Sequence, residues 1–567
     1  MPYLSSVKVK GTQYYSIYEG YREGGKVKHR ILVYLGNTEK VLKDFATKIG
    51  SIEDIAVEQV LDCGTILPFH QLYADLGLRE KINALMPKEK GTGIDVGRLI
   101  EVLVLNALLA HRSKEGITKW YRTTILPKLL DIKPDQLYSQ LFCRALDYFT
   151  EGTIMHLEKQ LTTELQTRFN FEIKTVFYDI TSIYLEGDQC PLGEFGYSRD
   201  GKRHNKQIVF GLAVVPHKTF PILYRVYKGN TADVKTSEEV IQQLFQLYGI
   251  QDSVVIVDRG MISDEVRLQF HDLKVRYISA LEGSSIEAKD LILGTLRNLL
   301  RPLTLRNGRQ VFIKRRMGSI KALRSELGLK PRKRKENKEL DDIPFLYLIG
   351  KSPEFSQAMK DAHYEALAEA LQAIKEFQEE LNSKTSSFKK KGRPIDIDGR
   401  LKQILHGVTR YFQYSWEKVG THIQVSIKFH QENLRIARKT KGKFVLCASD
   451  PSLTNRQMVQ GYIDKYQIEQ AFRVLKSDLH IRPIGHRKTN RVIAALFISY
   501  LAYLLKTMMD YQFKQSHLHA SFKEALDDLR NLKIVTFQLG GQIYEKHPEI
   551  SSSQQKIFKS LKVNLSD

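Results

Sequence analysis

Cysteine is scarce in this chain. Only four occur among 567 residues (Cys63, Cys143, Cys190, Cys447), far apart, and no C-x-x-C is present. That spacing supports neither a zinc ribbon nor a disulfide scaffold, and it fits a reducing, cytoplasmic setting. Long apolar runs are missing as well. The longest, Val492 to Leu505, has 14 residues. Roughly 18–20 are needed to span a bilayer, so a buried core helix is expected instead. The N-terminus, MPYLSSVKVKGTQYY, has no apolar core and does not read as a signal peptide. No G-x-x-x-x-G-K-[ST] occurs, which leaves ATP hydrolysis without support. GTGIDVG at 91–97 lacks a preceding strand and reads as a loop and helix start. Acid is in short supply: 64 Asp and Glu stand against 87 Lys and Arg, a formal net charge of +23. Such an excess points to a polyanionic partner, either nucleic acid or an anionic membrane surface, and says nothing about fold.

What is present reads as several domains. Residues 1–50 predict a small β-sheet, with Glu23-Gly24-Gly25 as a hairpin turn between QYYSIYEGYR and KVKHRILVYLG. Its tyrosines and basic residues suit either nucleic acid or an edge hairpin packed on the body. Residues 51–172 predict helices, among them GRLIEVLVLNALLAHRS, with Trp120-Tyr121 between Lys119 and Arg122. This region is a candidate DNA-binding module. From 173 the period changes to that of strands: KTVFYDITSIYLEG, KQIVFGLAVVP and FPILYRVYKG. A helix capped by Thr236 or Ser237 follows, then the apolar strand DSVVIVDRG, another helix and VRYISAL. The reading is an α/β core (α+β overall) on a mixed sheet, over 173–281 and again over 451–515. Residues 282–450 read as a basic insertion, and 516–567 as a helical tail. Within 306–338 stand 13 Lys and Arg against two acids, centred on Arg332, Lys333, Arg334 and Lys335.

Three carboxylates are candidates to carry chemistry. Asp179 lies in an otherwise apolar strand, where a charge is costly unless paired, hydrogen-bonded or metal-bound. Asp258 ends a strand, and ligands of α/β sheets bind beyond strand carboxyl ends. A turn or capping role suits Asp258 equally. Glu469 lies on a predicted helix with Tyr462, Lys465 and Lys476, all within about 60° of arc at 100° per residue. Ile468, Phe472, Leu475 and Leu479 form the adjacent apolar stripe. Two Asp on strands and a Glu on a later helix suit two-metal phosphoryl transfer. Carboxylates are hard ligands for Mg²⁺ or Mn²⁺, and such a pair activates the attacking oxygen and stabilises the leaving one.

Tyr462-x2-Lys465-x3-Glu469-x6-Lys476 resembles the Y-x2-R-x3-E-x6-K signature of insertion-sequence DDE transposases of the IS-four-like superfamily. YDITSIYLEG, GYSRDGKRHNKQIVFGLAV, FPILYRVYKGNTAD, VDRGMIS and RPIGHRKTNRVIAALFISYLAYLL resemble further segments of that group, in the same order. The resemblance implies an RNase H-like core interrupted by an insertion, with Asp179, Asp258 and Glu469 as catalytic metal ligands. It implies cleavage at transposon ends by water, then strand transfer by the freed 3′-OH. The partners it implies are double-stranded DNA, as terminal inverted repeats and as target, and a second copy in a synaptic homodimer. Lys465 replaces the signature's Arg, keeping charge but losing a bidentate fork.

Candidate DNA contacts are Tyr462, Lys465, Lys476, Arg473, Arg259 and the basic run Arg332, Lys333, Arg334, Lys335. Arg259 and Asn230 line the site or fix turns, and His486 is a weaker candidate. Asp396 and Asp398 read as solvated loop acids, and His204 and His480 as surface residues. Two other classes stay open: an RNase H-like nuclease without strand transfer, and a non-catalytic DNA-binding remnant. With DNA as the partner no membrane role is expected, and the setting is cytoplasmic at the nucleoid.

Overall fold

The computed structural model describes residues 2–23, 26–48, 56–86, 93–248, 252–283, 285–295, 299–328, 338–383, 396–420, 422–539 and 542–563. The chain divides into two compact units, Met1–Thr150 with Leu501–Asp567, and Glu151–Tyr500.

In the first unit, β1 (Pro2–Val9), β2 (Thr12–Glu23) and β3 (Lys26–Asn37) form an antiparallel sheet in that order. The hairpin expected at Glu23 joins β2 to β3, with Gly24 and Gly25 outside the described residues. Tyr3 stacks on Tyr18 and Tyr14 on Tyr34 across the strands. Leu4, Val7, Ile31 and Val33 are exposed. Helix Val96–Leu109 is apolar almost all round and buried, and the Asp95 side chain caps it by accepting from Arg98 N at 2.9 Å. Tyr121 is a core residue whose hydroxyl donates to Ile132 O. β4 (Ala56–Asp62) pairs with the later strand Lys533–Leu539, which pairs in turn with Gln542–Lys546. The segment 516–567 is therefore not wholly helical. KIVTFQL is rich in β-branched and aromatic residues, which favour a pleated surface.

The second unit is built on a nine-stranded mixed sheet. Its first half comprises β5 (Thr175–Tyr184), β6 (Gln207–Val214), β7 (Pro221–Lys228), β8 (Val254–Val257) and β9 (Arg276–Ala280), in spatial order β7-β6-β5-β8-β9. β5, β8 and β9 run parallel, and β6 is antiparallel to both β5 and β7. This is the RNase H-like arrangement expected from the sequence. The predicted caps Thr236 and Ser237 lie inside helix Asp233–Tyr248, where their hydroxyls return to Asp233 O and Val234 O. Such back-bonding satisfies a buried hydroxyl without ending a helix.

The block 282–450 is only partly an insertion. β10 (Arg301–Thr304), β11 (Gln310–Ser319) and β12 (Pro344–Lys351) belong to the main sheet. A separate hairpin of β13 (Phe412–Val419) and β14 (His422–Phe429) packs with helix Pro353–Asn382 around its own cluster, including Phe377, Leu401 and Tyr411. β15 (Lys443–Ala448) then returns to lie between β9 and β12. β12 and β15 read FLYLIG and VLCA, near-continuous apolar runs that require cover on both faces.

Helix Thr489–Gln515 is longer than its 14-residue apolar run, and by length and composition it would suffice to cross a membrane. Yet 83% of its most apolar window is buried inside the protein. Tyr224 donates to Ile493 O and Tyr500 to Pro221 O, tying its start to β7.

Candidate active site

Asp179 sits on β5 with Leu212 of β6 opposite it. Its Oδ1 accepts from Ile180 N at 2.8 Å, which fixes the carboxylate's orientation. Burial pushes its carboxyl above the usual range, Lys465 opposes that shift, and the charge of Asp258 adds to it. Asp258 follows β8, where Val257 is the last strand residue. Its Oδ1 accepts from Arg259 N at 2.9 Å and from the Tyr462 hydroxyl at 3.3 Å. Burial, then the neighbouring Asp258, hold the Tyr462 phenol well above its usual range, so it stays a donor.

Glu469 comes from helix Tyr466–Arg473, which follows helix Asn455–Asp464 after a break at Lys465. Lys465 is buried and its Nζ stands amid all three acids. It is 3.6 Å from Asp179 Oδ2, 3.7 Å from Asp258 Oδ1 and 3.8 Å from Glu469 Oε1. A strand, a strand end and a helix thus bring together acids whose outer members lie 290 positions apart in sequence. No two of these oxygens can be farther apart than two such distances laid end to end. The donor set is hard oxygen, partly open through the exposed Glu469, and it suits a Mg²⁺-like ion. As arranged here the acids converge on the ammonium and not on one another. Among the described residues no group of three His, Cys, Asp or Glu side chains is gathered closely enough to hold a metal ion.

Lys476 does not join this cluster. Residues Val474–Asp478 form a π-helical turn, so the 100° step that aligned Lys476 with Glu469 fails there. Its Nζ donates to Asp200 Oδ1 at 2.8 Å, and Arg482 pairs with the same oxygen. Burial lowers the Lys476 ammonium's pKa, and the bond to Asp200 opposes this. Arg259 and Arg473 are exposed, and Tyr462 is half-buried. Arg332, Lys333, Arg334 and Lys335 lie outside the described residues. Other charges of that tract serve the fold: Arg315 donates to Pro451 O and Leu453 O. Asn230, His204 and His480 are exposed and His486 is half-buried. Asp396 is not a free loop acid but the N-cap of helix Ile397–Ile404, accepting from Gly399 N.

Sequence reasoning missed Arg199, Asp200 and Asp233. The Arg199 amide donates to Ser182 Oγ and its guanidinium to Asp233 Oδ2, both at 2.8 Å, and its charge acts on Asp179. They lie in and beyond loops of no fixed spacing, and the only signal was the adjacent Arg-Asp in GYSRDGK. The loop bearing them threads close to β7's end. A Cβ on Gly229 would overlap the carbonyl oxygens of Gln207 and Glu194, so glycine is required there. A cavity of about 440 Å³ opens beside Arg259, lined also by Arg267, Tyr277 and Glu287, but Asp179, Lys465 and Glu469 do not line it.

A family model described as the transposase DDE domain matches residues 170–505, and one for the N-terminal domain of IS1634 family transposases matches residues 4–60. Among solved structures, a piggyBac transposase synaptic complex with hairpin DNA is similar at 12% identity and a TM-score of 0.37. That match covers 82% of this chain and 79% of the other. A pre-cleavage Mos1 transpososome is similar at 12% identity and a TM-score of 0.14, over 32% of this chain and 58% of the other. A Mos1 paired-end complex with the left transposon end gives 11% and 0.15, over 34% and 60%. No curated protein matches the chain.

Proposed function

The chain belongs to the DDE transposase family, whose domain model spans more than half of it, and from that premise we propose that Asp179, Asp258 and Glu469 are its catalytic carboxylates. Transposition is its function and DNA its partner. The observation that carries the residue assignment is the convergence of these three acids around Lys465 Nζ.

These carboxylates would hold a pair of Mg²⁺ or Mn²⁺ ions, which when bound supply activation of the attacking oxygen and stabilisation of the leaving one. The chain's own groups prepare the site. The Ile180 and Arg259 amides orient the Asp179 and Asp258 carboxylates. The Tyr462 hydroxyl steadies Asp258. Arg199, held by Asp233 and Ser182, places a positive charge near Asp179, a charge suited to a backbone phosphate. The exposed Arg259 and Arg473 extend that charge outward for flanking phosphates. Each copy carries one such cluster and a transposon has two ends, so a homodimer is the working unit in this reading.

The test supplies intact and pre-cleaved terminal-repeat ends, target DNA and Mg²⁺ to the full chain. Joined products are expected. Cleavage of intact ends without any joining would leave a nuclease of the same fold instead.

A further inference from the structure

Lys465 is poorly placed to touch DNA. Its side chain is 7% exposed and its Nζ lies within 3.8 Å of a carboxylate oxygen from each of the three acids. Taking an ammonium out of water is costly unless it is compensated, and here three carboxylates compensate it. The reverse also holds. Three carboxylates facing one point repel one another, and the ion pairs of Asp179, Asp258 and Glu469 among the described residues run to Lys465. The ammonium stands between the acids, which accounts for their failure to form a closed metal cage as they stand.

Resting on the reading of these acids as metal ligands, we propose that Lys465 is the resident counter-ion of the cluster and competes with the divalent cation for it. An ammonium and a divalent ion repel strongly at such distances, so both cannot occupy the centre. Entry of the metal requires Nζ to leave. A lysine suits that task, being a point charge on a flexible four-carbon stem, whereas an arginine fork would be held by two hydrogen bonds at once. Lys465 also lies at the junction of two helices, between Asp464 and Tyr466. The site is thus kept assembled without metal, at the expense of metal affinity.

The experiment is an Mn²⁺ titration of the full chain without DNA, followed by the electron paramagnetic resonance signal of free Mn²⁺. It compares wild type, Lys465→Gln, Asp179→Asn and the double variant. Lys465→Gln is expected to bind Mn²⁺ at least about tenfold more tightly than wild type. Asp179→Asn is expected to weaken binding in both backgrounds. If Lys465→Gln binds equally or more weakly while Asp179→Asn still weakens binding, the counter-ion role is wrong and the metal site stands. If Asp179→Asn changes nothing in either background, the assignment of the acids falls and the proposal with it. Melting in EDTA and in Mn²⁺ gives a second readout should Lys465→Gln fold poorly without metal. The variant is expected to melt lower than wild type in EDTA and to gain more from Mn²⁺. An equal or smaller gain overturns the proposal.

Discussion

Asp179 and Asp258 each stand two residues beyond a paired position of adjacent parallel strands, Phe177 opposite Ile256. Strand side chains alternate faces with a period of two, so this register places both carboxylates on the same side of the sheet, one strand spacing apart. A one-residue slip of β5 against β8 would turn them to opposite faces. Their proximity is a consequence of the sheet; Glu469 is brought to it by helix Tyr466–Arg473 and Lys465 by the turn just before that helix.

Asp179 is costly to the fold without metal. Burial raises its carboxyl pKa above the unfolded value. Such a group contributes its full stability in acid, below the ordinary carboxylate range, and loses it as pH rises through the folded value. Asp179→Asn keeps the oxygen that accepts from Ile180 N and removes the charge. The variant is therefore expected to melt about 1–3 °C higher than wild type at neutral pH in EDTA. The gain should shrink towards zero as pH falls below the ordinary carboxylate range, where the Asp179 side chain is protonated folded and unfolded alike. Thermal melts across that range check it; a gain independent of pH would contradict the charge argument.

Asp200 is expected to be structural and not catalytic. It holds Lys476 and Arg482 through one oxygen in a mostly buried setting. Asp200→Ala strands two cations and should cost about 3 kcal/mol in urea unfolding. Removing Lys476 as well, in Asp200→Ala with Lys476→Met, should recover part of that loss, measured as a double-mutant cycle. Additive losses would show that the two groups are uncoupled.

The run Arg332, Lys333, Arg334 and Lys335 is expected to contact phosphates without reading sequence. Changing all four to Gln should weaken binding to terminal-repeat and unrelated DNA alike. The salt dependence should flatten by about 0.9 in log–log slope for each phosphate no longer neutralised. Titrations at several salt concentrations decide it, and a weakening confined to the terminal repeats would assign the run to sequence reading.

Much of this was legible in the sequence, for definable reasons. Asp179 and Asp258 announced themselves as charges in or ending apolar strands, and Glu469 by its helical phase beside an apolar stripe. These are local patterns. Lys476 leaves that phase at a π-turn that nothing in VLKSD signals. The pairing of β15 with β9 and β12, and of β4 with Lys533–Leu539, joins strands remote in sequence, which periodicity cannot register. That is why part of the main sheet reads as an insertion from the sequence alone. Arg199 and Asp200 escaped notice because a loop has no period at all.

Asp179, Asp258 and Glu469, from three elements, are proposed to form one catalytic centre. Mg²⁺-dependent cleavage of terminal-repeat DNA by full-length Asp179→Asn, Asp258→Asn and Glu469→Gln, each shown to be folded and to bind the DNA, tests it most directly. Each isosteric change should lower the cleavage rate by at least about 10³-fold while leaving DNA affinity within a few-fold of wild type. Cleavage at the wild-type rate by any one of the three would contradict the account.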